Sequence, residues 1–364
     1  MKQINRTFLD QNVLEAAQER MAFVFDRFAE VYVSVSGGKD SSVVYRLARD
    51  EAERRGRKVN VFFLDQEAEY EATIGIIRDL MVHPAVVPHW YQVPLWLTNA
   101  TSYTQDMLYA WGEGEEWIRP KEPGAIHAID GKYPQRFYDF FEWFEKTHRD
   151  AAHLVGLRAE EGINRFRAVT KNPGYDGVPW STKTKGPGSF KFYPIYDWGM
   201  GDVWKFIADN GMPYNRIYDL EYARGAGVYK TMRVSNLIHE MSFSCLSELP
   251  KLEPETYAKL VRRLKGVHCA AHHATGALYA ANELPARFAT WREFRDHLLE
   301  SMPIDEKKRT RFRKRFAGLP DDEATCKNEC RRLLINDYEN NVPITARAKS
   351  APKRDKFARW RRLW

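Results

Sequence analysis

The sequence predicts an α/β protein: a parallel sheet with helices on both faces, followed by a mainly helical C-terminal region. Three observations predict it. Helical and strand-like segments alternate over roughly the first 220 residues. The strand-like segments are short, nearly continuous apolar runs, the pattern of strands buried on both faces. Beyond about Tyr222 the strand signals fade and helical stretches take over. The expected division is an α/β domain over 1–220, a helical region over 221–346 and a basic aromatic tail over 347–364.

The elements follow in order. Leu9, Val13, Leu14, Ala17, Met21, Val24, Phe25 and Phe28 recur at helical spacing, and Val31 to Val35 forms a β-rich run. After a Gly-Gly loop, Val43, Val44, Leu47 and Ala48 keep a helical stripe to about Arg55, where Gly56 supplies a stop. "KVNVFFLD" reads as a second strand ending in Asp65, and "AVVPHWYQVP" as a third. Tyr138, Phe141, Trp143 and Phe144 lie in an aromatic-rich helix; "HLVGLR" and "FKFYPI" read as two more strands. Residues 98–134 look like an insertion or lid, and the Gly/Pro-rich stretch 171–189 like a mobile loop. Helices are expected at 255–264, 291–299, 305–316 and 321–338.

Composition narrows the class. A chain of 364 residues with 44% hydrophobic and 13% aromatic content fills a sizeable core, which excludes general disorder. No apolar run approaches the length of a membrane span, and "MKQINRTFLDQNVLEAAQERM" lacks the apolar centre of a signal peptide. A soluble, cytoplasmic protein with no membrane partner is expected. The net charge of +7 and pI of about 9.0 permit a polyanionic partner.

The densest chemical signal is Val31 to Asp50, "VYVSVSGGKDSSVVYRLARD". Gly37 and Gly38 let the backbone approach a ligand, and the helix that follows directs unpaired N–H groups at it. Ser34, Ser36, Ser41 and Ser42 add hydroxyls, and Lys39 a charge. The spacing is not that of a Walker A loop, and no dinucleotide-type Gly-x-Gly-x-x-Gly is present.

Ser-Gly-Gly-Lys-Asp-Ser at 36–41 resembles the PP-loop of the adenine-nucleotide α-hydrolase superfamily, a HUP-like fold. "VGLRAEEGINR", "YPIYDWGMGDVWKFI" and "GMPYNRIYD" are similar to segments of its phosphoadenylyl-sulfate (PAPS) reductase family. "KTMRVSNLIHE" at 230–240 resembles a branch of that family often encoded beside ParB-like proteins, which implies such a partner. The resemblance places Ser34, Ser36, Gly37, Gly38, Lys39, Asp40, Ser41 and Ser42 around the phosphates of ATP or PAPS, with Mg²⁺. Asp65 would lie at the crevice beyond the strand ends, and Glu67 near it, facing nucleotide or metal. Gly156 would let backbone approach the adenosine. Lys39, Asp40, Arg158 and Arg165 would act on the reacting phosphates, the arginines as bidentate forks. For Arg158 the alternative is a salt bridge to Glu160 or Glu161. Asp202 is expected to cap a helix, and Trp198, Trp204 and Tyr214 to pack rather than stack on a base.

The departures bear on the reaction. Reductases of this family resemble one another in a C-terminal Glu-Cys-Gly-x-His, whereas here Glu329-Cys330 precedes Arg331-Arg332 inside a helical stretch. Cys326 and Cys330 share a helix face, and with Cys245 and Cys269 would form a zinc or iron–sulfur site; a four-cysteine cluster would resemble the PP-loop protein of DNA phosphorothioation. Core packing is the default for these cysteines, and the metal site is the alternative. "KKRTRFRKRF" at 307–316 and the tail interleave cations with aromatics, which suits nucleic acid; the alternative is a solvated helix face. The reading is an enzyme that cleaves ATP between the α and β phosphates to adenylate or modify an acceptor. The alternatives are a thioredoxin-dependent PAPS or adenylyl-sulfate reductase and a nucleotide-binding regulator acting with a ParB-like partner.

Overall fold

The computed structural model describes residues 9–170, 174–223, 225, 234, 236–273 and 283–342. Helix α1 (Val13–Arg27) starts in a capping box: Asn12 accepts from the N–H groups of Leu14 and Glu15 at 3.0 Å, and Glu15 returns a bond to the Asn12 N–H. Strand β1 (Glu30–Ser34) leads through the glycine loop into α2 (Lys39–Arg54), followed by β2 (Val59–Leu64), α3 (Glu71–Met81) and β3 (Val86–Tyr91). The chain then makes β4 (Leu95–Thr98) and β5 (Met107–Ala110), a separate two-stranded ribbon, before α4 (Phe137–Thr147). It returns through β6 (Ala151–Val155), α5 (Ile163–Thr170), β7 (Ser181–Lys183), β8 (Phe190–Phe192), α6 (Met200–Asp209) and α7 (Ile217–Ala223).

The six main strands lie in the order β3-β2-β1-β6-β8-β7, parallel except for β7, which pairs antiparallel with β8. Val33 stands opposite Val61 on one side and Leu154 on the other. Successive residues of β1 serve opposite faces. Val31, Val33 and Val35 join residues of α1, α2, α3 and α6 in one cluster, whereas Tyr32 joins Phe62, Tyr91 and the α4 residues Phe140 and Phe144 in another. Helices thus cover both faces, as the buried strands require. On the α4 side Tyr32 packs against His89, His148 and His153. Burial lowers His89 to a pKa of about 4, and burial, with Lys191 and His148 nearby, lowers His153 to about 3.

The described chain separates into two compact units. The first comprises Met1–Leu97, Met107–Ile238 and Glu248–Leu264 and holds the main sheet. The second comprises Thr98–Asp106, His239–Ser247 and Lys265–Trp364. Helices α8 (Phe243–Leu252) and α9 (Pro254–Arg263) precede α10 (Val267–His273), α11 (Trp291–Ser301), α12 (Glu306–Phe316) and α13 (Glu323–Leu334). Thr290, Asp305 and Asp322 cap the last three by accepting from the third helical N–H. Asn336 ties 98–106 into this unit, donating to the Asn99 and Ser102 carbonyls at 2.8 Å.

Two segments read as loops contain strands. Residues 171–189 include β7, which lies at one edge of the sheet; Ser-Thr-Lys carries no apolar signal, and only its pairing with β8 makes it a strand. Residues 98–134 include β5, and their 111–119 stretch is fastened to the end of β2 as described below.

Candidate functional site

Strand order creates the site. From β1 the chain steps outward to β2 and β3, then returns to β6 on the other side of β1, so connections diverge at the carboxyl ends of β1 and β6. Open α/β sheets bind ligands at such a divergence. Ser36 to Ser42 leave β1 there, and Gly156 to Arg158 leave β6.

The loop is held open by its neighbours. Gly37 has φ +68°, and a Cβ on it would come within 2.8 Å of the Thr73 methyl, so glycine is required on both counts. Asn215 braces the turn from below: its Nδ2 donates to Thr73 Oγ1 at 2.9 Å and reaches the Gly37 carbonyl at 3.4 Å. Ser41 Oγ accepts from Ser36 N at 3.1 Å and donates to the Gly38 carbonyl at 3.0 Å, closing the loop on the first turn of α2. Lys39 N donates to Tyr218 Oη at 3.1 Å. Among the described residues the N–H groups of Gly37, Gly38, Asp40 and Ser41 have no protein acceptor. These donors and the N-terminal end of the α2 dipole make an anion cradle.

All four residues expected to act on phosphate belong to one ion-pair chain. Lys39 Nζ is 2.9 Å from Asp40 Oδ2, and Asp40 Oδ1 is 2.5 Å from Arg158 Nε. Arg158 pairs with Glu160 and reaches Glu161 at 3.5 Å; Glu161 in turn is 2.9 Å from Arg165. Glu160 also accepts from Met200 N at the start of α6, and Asp202 boxes that helix by accepting from Gly199 N at 2.7 Å. Arg158 is 1% exposed, so it is no surface salt bridge, whereas Arg165 has a half-exposed side chain. Gly156 lies against protein backbone: a Cβ there would be 2.8 Å from Asp40 C and Ser41 N, so the β6 exit sits directly on the first turn of α2.

Asp65 and Glu67 face protein donors. Asp65 accepts from Trp90 Nε1 at 3.0 Å, Gln92 Nε2 at 2.9 Å, Glu67 N at 3.0 Å and the Arg119 guanidinium. Glu67, at φ +62° and fully buried, accepts from Trp111 N at 2.8 Å, Ile118 N at 3.3 Å and Arg263 Nε at 3.0 Å. Together they fasten residues 111–119 over the end of β2. Tyr218, Thr73 and Asn215 are the loop's unforeseen supports; Asn215 and Tyr218 fall within "GMPYNRIYD", which was a usable signal, but nothing local marks Arg263 as a partner of Glu67.

The cysteines are not gathered into a metal site: among the described residues no group of three or more His, Cys, Asp or Glu is placed to hold an ion. Cys326 and Cys330 are both 0% exposed in α13. Cys326 donates to Asp321 and accepts from Arg295, and Cys330 donates to the Trp291 carbonyl. Burial, with the Asp321 bond, pushes the Cys326 thiol up to about 11, and burial raises Cys330 further. A zinc or iron–sulfur centre does not fit this arrangement. Part of the basic helix α12 is paired within the protein, whereas Lys307 and Lys314 are exposed. Lys308 pairs with Asp106, Arg311 with Glu339, Arg313 with Glu306, and Arg309 and Arg315 donate to main-chain carbonyls. The tail 347–364 lies outside the described residues. Among them no helix is long and apolar enough to cross a membrane.

Fold and site define an α/β domain of the nucleotide-binding class, with its glycine loop at the point where the sheet's connections diverge. The chain belongs to the phosphoadenosine phosphosulfate reductase domain family, which it matches over residues 30–232; residues 227–319 match a second family, described as Domain of unknown function (DUF3440). It is 31% identical over 332 residues to the uncharacterized protein YbdN of Escherichia coli K12, covering 85% of this chain and 79% of that one. It is 30% identical over 108 residues to an adenosine 5'-phosphosulfate reductase of Neisseria meningitidis, covering 28% of this chain and 43% of the reductase's length. Among solved structures, PAPS reductase from Candida auris aligns with 60% of this chain and 88% of its own at 15% identity and a TM-score of 0.33.

Proposed function

We propose that the protein binds an adenine nucleotide at the PP-loop and cleaves ATP between the α and β phosphates, passing AMP to an acceptor. The observation that carries this reading is the cradle itself: four N–H groups without a protein acceptor among the described residues, flanked by Lys39 and Arg158. A loop holding the outer phosphates leaves the α phosphorus toward the crevice. The acceptor's lone pair forms the new bond to phosphorus while the bridging oxygen departs with its electrons as pyrophosphate, and the acceptor proton passes to solvent. Loop donors and Lys39 stabilise charge growing on the leaving group. Mg²⁺ would neutralise phosphate charge. The site's own carboxylates do not offer it a cage, since Asp40, Asp65 and Glu67 are engaged by protein donors, so it would enter on the nucleotide, held at most by Asp40.

Reduction of a sulfonucleotide is the weaker reading. It needs a thiolate nucleophile, and Cys330 is buried with its thiol raised by burial. The test is product analysis after incubation with ATP or PAPS, with and without nucleic acid. Pyrophosphate and AMP, free or on an acceptor, support adenylyl transfer. Sulfite with adenosine bisphosphate, abolished by Cys330→Ser, would establish the reductase instead. Tight nucleotide binding without turnover would point to a regulator.

A further inference from the structure

A polar pocket lies beside the Glu67 anchor. It encloses 140 Å³ and is lined by Glu116, Trp117 and Ile118 from the fastened segment and by Lys259, Arg262 and Arg263 from α9. Its place follows from Glu67, which accepts from both Ile118 N and Arg263 Nε at the carboxyl end of β2, the strand beside β1 and its PP-loop. The pocket therefore lies toward the same carboxyl ends of the parallel strands as the anion cradle.

Its charges divide into two kinds. Arg263 is committed: it bonds Glu67 at 3.0 Å, Glu115 at 2.5 Å and the Tyr109 carbonyl at 2.8 Å, and it forms a fixed wall. Lys259 and Arg262 are exposed, and neither has an ion-pair or hydrogen-bond partner among the described residues. Lys259 and Arg262, one helical turn apart, repel one another, and the carboxyl end of α9 offsets part of that repulsion without satisfying their donors; Arg263 is already neutralised by Glu67 and Glu115. Lys121 adds a further positive charge 4.8 Å from the Trp117 ring centre. Glu116 is the sole acid among the lining residues. The volume is well under the roughly 300–1,000 Å³ of a site that encloses a whole small molecule, so it suits a head group. The walls have different origins: Trp117 and Ile118 fall inside the reductase-family match, whereas the α9 cations fall only in the second match.

We infer that this pocket binds an oxyanion group, phosphate or sulfate, carried by the second substrate that meets the nucleotide. The role as second-substrate site rests on the reading of the PP-loop given above; the binding itself does not. The test uses the full chain with α,β-methylene-ATP saturating the loop, titrated calorimetrically with inorganic phosphate and then sulfate at constant ionic strength. Saturable uptake is expected, weakened about tenfold or more in Lys259→Gln/Arg262→Gln, with affinity for the nucleotide analogue unchanged. No saturable uptake, or uptake equal in the double variant, overturns the inference. If the analogue does not bind, the nucleotide reading fails, and the same titration in a Lys39→Ala background still decides the pocket. There, uptake that depends on Lys259 and Arg262 supports the inference, and uptake abolished by Lys39→Ala alone refutes it.

Discussion

Replacing Gly156 with alanine puts a methyl group where only backbone lies. Its ideal Cβ would sit 2.8 Å from Asp40 C and Ser41 N and 2.9 Å from Asp40 O. Carbon contacts are comfortable at about 3.5–4.0 Å, so the β6 exit and the first turn of α2 must part by roughly half an ångström or more. None of the three atoms belongs to a side chain, and no rotamer change relieves the clash. Overpacking of this kind costs about 1–3 kcal/mol, and if the loop's binding geometry absorbs all of it, nucleotide affinity falls about 5- to 150-fold. Urea unfolding and calorimetric titration with α,β-methylene-ATP measure the two shares. Gly75, inside α3 with nothing within 4 Å of its Cβ position, is the control, and alanine there should gain about 0.5–1 kcal/mol from helix propensity. A Gly156→Ala protein with unchanged stability and unchanged affinity would refute the reasoning.

Three other outcomes are expected. Arg158→Ala removes a buried cation from Asp40, Glu160 and Glu161 and should cost about 3–5 kcal/mol in denaturant unfolding, with Arg158→Lys recovering only part; a loss under about 1 kcal/mol would show that the buried pairing is unimportant. In a Cys269→Ser background, Cys326 and Cys330 should react with a thiol reagent only at the rate of unfolding, and prompt labelling of Cys330 in the native protein would contradict the described burial. His89 and His153 have folded pKa values of about 4 and about 3, below the roughly 6.5 of an unfolded histidine, so the unfolded chain binds more protons in between. Their stabilisation is fully present above about pH 6.5 and is lost as pH falls toward 4, at up to about 1.4 kcal/mol per pH unit for each histidine. His153→Gln should flatten that slope of urea stability by about half, and an identical slope in the variant would exclude His153 as a source.

The parts of this fold that declare themselves locally were readable. Val31 to Val35, the glycines after it and "KVNVFFLD" carry their own periodicity and turn chemistry, and the helical stretches expected at 305–316 and 321–338 hold α12 and α13. What was hidden depends on partners distant in sequence. Ser181 to Lys183 is a strand only because β8 lies beside it. Asp65 reads like a ligand at a strand end until Trp90, Gln92 and Arg119 are seen to occupy its oxygens. Within "KKRTRFRKRF", nothing local shows that Lys308 and Arg311 pair with Asp106 and Glu339.

The Lys39–Asp40–Arg158 arrangement gives the loop an internal counter-ion. Asp40 already satisfies both cations, so an arriving anion does not fall onto bare positive charge but must outbid a carboxylate held at 2.9 and 2.5 Å. Uptake is then an exchange, and its free energy is the difference between two sets of ion pairs. Monovalent anions such as chloride or acetate offer no advantage over the resident group, whereas a polyphosphate brings several charges and several acceptors to the N–H groups that Asp40 leaves unserved. On the proposed reading of the loop, the aspartate beside the lysine would select by valence before any base or acceptor is recognised.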